Sequence, residues 1–149
     1  MREVLSIPAG KTIKNIKGYG IHAFPYPRTT TYDQSQYIAF RAEKGGKMDM
    51  LYSVMNEIVL NPSDENLEYK LHHLDDDSKD RILRYIHARK TTKFGFEKKN
   101  HTYKFFVLKE EQSLPHEPRP QGRNTAGHTY YTYEEITCGK GEVIVQSKL

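Results

Sequence analysis

The order of strand and helix signals along the 149 residues predicts an α+β fold, a mostly antiparallel β-barrel with helices packed outside it. Three observations carry this expectation. Runs rich in Tyr, Phe, Ile and Val lie on either side of a single helical region at residues 63–90. Turn signals built from Gly, Pro and Asn separate those runs. No internal repeat, low-complexity tract or linker breaks the chain, so residues 1–149 read as one domain.

Taken in order, residues 4–7 and 12–16 are short strand candidates split by Pro8-Ala9-Gly10. Residues 18–28 interleave aromatics with Gly18, Gly20, Pro25 and Pro27, and read as an ordered loop over the barrel edge or the lip of a cleft. Tyr37–Arg41 is a strand, residues 43–47 a hairpin turn, and residues 48–60 a longer returning strand whose imperfect alternation predicts a bulge. Leu67, Leu71 and Leu74 then recur at helical spacing. After His72-His73 a second helix is expected, capped by Asp77 or Ser78, with Ile82, Leu83, Tyr85 and Ile86 as its buried stripe. Arg81, Arg84, Arg89 and Lys90 lie mostly off that stripe and read as a solvated face.

Residues 102–109 form the most strand-like run, Thr-Tyr-Lys-Phe-Phe-Val-Leu-Lys. Residues 114–120 follow, and their three prolines exclude both helix and central strand. The segment continues through Arg119, Arg123 and Asn124 towards the tyrosine cluster at 130–133. Thr132 with Glu135 has capping-box spacing and starts a short helix ending at Gly139, and residues 142–146 close as a strand.

Composition sets limits on function. A net charge of +4 and a pI near 9.0 favour a polyanionic partner weakly. The single Cys138 rules out an internal disulfide and fits a reducing compartment. No apolar run reaches the length of a membrane span and no signal-peptide core is present, so a cytoplasmic protein without a membrane partner is expected.

Catalytic motifs are weak. Asp64, Glu68 and Lys70 have the residue types of a metal-dependent nuclease, but two acids four apart in one helical stretch read as a helix start. His72, His73 and residues 75–77 offer metal-binding side chains at spacing that does not chelate one ion. No phosphate-cradling glycine loop, nucleophile elbow or cofactor motif is present, so no cofactor is expected.

Tyr37–Arg41, then Leu51-Tyr52-Ser53-Val54, then residues 103–108, then Tyr130-Tyr131-Thr132-Tyr133-Glu134-Glu135-Ile136 together resemble PUA-like modules of modification-dependent restriction systems, of the EVE, ASCH and YTH branches. The resemblance spans roughly residues 37–143. It implies a PUA-like barrel that binds DNA or RNA, a modified or flipped base seated in an aromatic pocket, and a separate nuclease or motor subunit as effector. The chain has no tryptophan, the residue that builds the cage in the EVE and YTH branches, so tyrosine and phenylalanine would take its place.

The expected contacts follow from side-chain chemistry. Tyr37, Phe40, Tyr52, Tyr130 and Tyr131 would supply stacking faces, Arg41, Arg119 and Arg123 would hold phosphates, and Asn124 would read a base edge. Two other functions compete: a small nucleic-acid-processing enzyme using Asp64, Glu68 and Lys70, and a regulatory subunit that docks a protein on exposed tyrosines.

Overall fold

The computed structural model describes residues 3–26, 35–91, 96, 100–122 and 127–145. It is a mixed α+β structure. In chain order the elements are β1 (Glu3–Pro8), α1 (Ile13–Tyr19), β2 (Ile21–Pro25), β3 (Tyr37–Arg41), β4 (Met50–Leu60), α2 (Leu67–Lys70), α3 (Asp76–Thr91), β5 (Tyr103–Ser113), β6 (Arg119–Pro120), β7 (Thr129–Thr132), α4 (Tyr133–Thr137) and β8 (Glu142–Val143). A six-stranded sheet has the order β2-β5-β4-β3-β1-β7, and β6 pairs with β8 separately. Among the described residues no ladder joins β2 to β7, so the sheet is open.

Contacts divide the chain into two compact units. The first holds Met1–Ile13, Tyr32–Ser53 and Lys109–Leu149, and the second Lys14–Thr31 and Val54–Leu108. The long strands β4 and β5 each give one part to each unit.

In the first unit β1 is central. It pairs in parallel with β3, Leu5 beside Ile38, and antiparallel with β7, Leu5 beside Tyr130. The parallel pair corrects part of the antiparallel expectation. The chain leaves β1, forms α1 and β2, and only then enters β3, a connection long enough to bring the next strand back in the same direction. Val4, Ala39, Met48, Leu51, Leu114, Tyr131, Ile136 and Val143 make this unit's core. The predicted capping box is present at α4, where the Thr132 hydroxyl accepts from the Glu135 amide at 3.1 Å.

The second unit packs α3 on strand residues. Ile82, Tyr85 and Ile86 meet Ile21, Ala23, Leu60, Tyr103, Phe105 and Val107 in one buried cluster. The Asp75 carboxylate accepts from the Ser78 amide at 3.0 Å, so the helix starts earlier than a cap at Asp77 or Ser78 would allow. Two further expectations are corrected. Residues 12–16 are not a strand: after a 3-10 turn at Gly10–Thr12, held by Thr12 Oγ1 donating to Ala9 O, α1 turns Ile16 inward. Part of the stretch read as a loop is β2, paired with β5 from Ile21 beside Val107 to Pro25 beside Tyr103. Gly20, at φ +66°, makes that entry possible. A Cβ there would collide with the Arg81 guanidinium, which donates to Leu108 O at 2.9 Å. No helix among the described residues is long and apolar enough to cross a membrane.

Candidate functional site

The prolines at 115, 118 and 120 turn the chain over a cleft in the first unit. Leu114 O accepts from the Glu117 amide at 3.0 Å, and Glu117 itself sits at φ +45°, a left-handed conformation uncommon for a residue other than glycine. Pro118 O accepts from Met48 N at 2.9 Å, which brings the 43–47 turn alongside. The short parallel ladder of β6 and β8 places Arg119 beside Glu142 and is extended by Gln121 N donating to Val143 O at 2.9 Å. The resulting open cleft, about 420 Å³, is lined by Lys47, His116, Glu117, Arg119 and Glu142 with Pro115 and Gly141.

Its electrostatics are mixed. Arg119 and Glu142 approach to 3.5 Å with both side chains about half exposed, a pair that solvent screens and that contributes little stability. A stronger anion can therefore replace the carboxylate on Arg119. His116 Nε2 lies 2.8 Å from Ile136 O. A carbonyl only accepts, so Nε2 carries the proton and Nδ1 is the acceptor of the neutral ring. The cleft thus combines two cations, two carboxylates and an imidazole, a set suited to gripping a phosphate edge while accepting a hydrogen bond.

The expected aromatic cage is divided by the pleat of the sheet. Tyr130, Leu5, Ile38 and Tyr52 stand in register across four strands, and Phe40, two residues from Ile38, shares their face. Tyr131, Val4 and Tyr37 form the adjacent row and point to the opposite face. Phe40 and Tyr52 meet edge to face at 5.6 Å, and with Tyr130 and Tyr131 they are buried. Burial raises the Tyr52 hydroxyl to about 12, helped by Glu110 and Asp49. It also raises Tyr131, against the opposing effects of the Thr129 hydroxyl and the Arg41 guanidinium. Tyr37 differs: it is half-buried and lies 5.3 Å from the half-buried ring of Tyr133, tilted by 30°. Among the described tyrosines and phenylalanines of the unit, this pair is what solvent reaches most.

Arg41 is 1% exposed and donates through Nη2 to Gly127 O, so it holds backbone where the sequence suggested a phosphate contact. Burial lowers its pKa, with Tyr131 working the other way. Arg119 is exposed and lines the cleft. Arg123 and Asn124 lie outside the described residues. Lys47, His116, Glu142 and Tyr133 were not singled out from sequence, because each reaches its place through strand pairing or turn packing across tens of residues. The prolines around His116 were the available signal.

The nuclease trio stays local. Asp64 pairs with Lys70, whose ammonium, with the Asn66 amide, holds the carboxyl below its usual value, and Glu68 faces solvent on α2. Among the described residues no three His, Cys, Asp or Glu side chains gather as a metal site would require. No family model, curated protein or solved structure matches the chain.

Proposed function

We propose that this protein is a nucleic-acid-binding module of PUA-like architecture, with the cleft of the first unit as its phosphate grip. The observation that carries the reading is the cleft itself: Arg119 and Lys47 at one open concavity, beside an imidazole and two carboxylates. Guanidinium and ammonium groups suit phosphate oxygens, and a carboxylate or imidazole nitrogen suits an amino group on a base edge.

The barrel and the base-reading pocket belong to the same proposal. Phe40, Tyr52 and Tyr130 share one sheet face, which supports an aromatic floor, and Tyr130 at 9% is the least covered of the three. The tilted Tyr37–Tyr133 pair offers a second, partly accessible ring surface. A modified or unpaired base is the ligand such rings take most readily, because it costs least to unstack. A separate effector subunit and a cytoplasmic setting complete the reading.

The test pairs Arg119→Ala and Lys47→Ala with oligonucleotide binding over a salt series. Each substitution is expected to weaken affinity and to flatten the dependence of log K on log salt by roughly 0.7–0.9, the loss of one phosphate contact. Arg123→Ala is expected to act in the same direction. Binding that is indifferent to Arg119 and Lys47 removes the cleft from the interface.

A further inference from the structure

We infer that the exposed second half of α3, in the second unit, is a further surface that contacts the phosphate backbone of a nucleic acid. This rests on the nucleic-acid reading above. Residues 84–104 carry seven Lys or Arg and one acidic residue, so they hold more than the whole chain's net charge of +4 and the rest of the chain is net acidic.

The solvent face of α3 is divided by sign. Asp76, Asp77 and Asp80 stand on its first half, and Arg84, His87 and Lys90 on its second, all exposed. The helix dipole favours cations in the last turn, and that accounts for Lys90. It does not account for Arg84, more than a turn further back, because the dipole's influence fades within one turn. Arg84 is matched with Asp80 at 3.3 Å, but the two side chains are 69% and 63% exposed, so water screens the pair and the guanidinium remains available to a phosphate. Arg89, from the same helix, faces inward and takes no part in the surface.

The partner such a surface fits is the backbone of a nucleic acid. An anionic membrane attracts the same charges, but an interfacial helix also needs apolar residues to enter the bilayer. Among the described residues the exposed large hydrophobics are Val54, Met55, Val59, Tyr69, Ile144 and Val145, and none lies on α3. A phosphate backbone asks only for cations at intervals along an exposed face.

The decisive variant is Arg84→Gln with Lys90→Gln, compared with Lys44→Gln with Lys109→Gln, which removes two exposed lysines from the first unit. Binding of a mixed-sequence single-stranded oligonucleotide is measured against salt, and sedimentation with phosphatidylserine vesicles is measured alongside. The α3 variant is expected to lose about 1.4 from the salt slope, two contacts' worth, and to weaken binding equally for every sequence, while the control keeps the wild-type slope. An α3 variant with wild-type affinity and slope overturns the inference and leaves the cleft reading intact. Wild-type protein that binds no oligonucleotide overturns both, and dependence on Arg84 and Lys90 seen only with vesicles assigns the surface to membranes instead.

Discussion

Arg89 donates to Tyr85 Oη at 2.8 Å and holds its guanidinium 4.5 Å above Phe96, with Tyr103 also within reach of its charge. The sequence pattern reads this residue as part of a solvated face, yet it is 4% exposed. Helical periodicity places Arg89 next to Ile82, Tyr85 and Ile86, but an α-helical stripe does not say whether an arginine at its edge bends outward or inward. Three aromatic faces decide it by offering a planar cation stacking surfaces and one hydroxyl. Arg89→Ala is expected to lower stability by about 2–3 kcal/mol in urea unfolding, with Arg89→Lys recovering little because an ammonium does not stack. An unchanged midpoint in both variants means that the contacts of Arg89 with Tyr85, Phe96 and Tyr103 contribute nothing. Tyr52 gives a second residue-scale expectation. Its hydroxyl stays protonated in the folded state up to about 12, whereas in the unfolded chain it ionises near the ordinary tyrosine value of 10.0. The unfolded state therefore releases its proton first, and the stability tied to this group is complete below about pH 10 and lost as pH rises towards 12. Unfolding midpoints measured over that range should fall less steeply in Tyr52→Phe than in wild type; equal slopes contradict the burial of this hydroxyl.

Short elements show what local sequence can and cannot specify. The capping box at Thr132 was legible because its chemistry is local, and Thr132→Ala is expected to cost about 1 kcal/mol, read as a lower denaturation midpoint that Thr132→Ser largely restores. Tyr37–Arg41 and β5 were legible because long aromatic and β-branched runs leave few alternatives. Among the elements missed were α1 and β2, where Ile13 and Ile16 fit a helix or a strand equally well and two prolines and two glycines resemble a loop. Gly20 resolves the ambiguity through tertiary structure, since its left-handed turn lets Gly20 O accept from Leu108 N at 2.8 Å. Gly20→Ala is expected to lower the midpoint by more than a helix-propensity change would, because both its φ and the Arg81 guanidinium oppose a side chain. A neutral Gly20→Ala would show that Arg81 relocates freely.

Across the whole chain, each unit has its own buried cluster, and the charge is concentrated in one segment of the second unit. The sequence pointed to Arg119 because three prolines mark an exposed, extended segment, and the structure places it at a cleft. It could not assemble the cleft, since Lys47 arrives through a hydrogen bond from Met48 to Pro118, and Glu142 through the β6–β8 register. Alternation alone separates Tyr37 from Phe40 and Tyr130 from Tyr131, but which of them share a face with Tyr52 depends on the strand register, and that is not local. The central claim is that the chain binds nucleic acid. Its most direct test is an equilibrium binding panel of single- and double-stranded DNA and RNA, each with and without common base modifications, at low and physiological salt. Salt-sensitive binding is expected, tighter to single strands and tightest where a modified base is present. No binding to any member of the panel at low salt would contradict that claim.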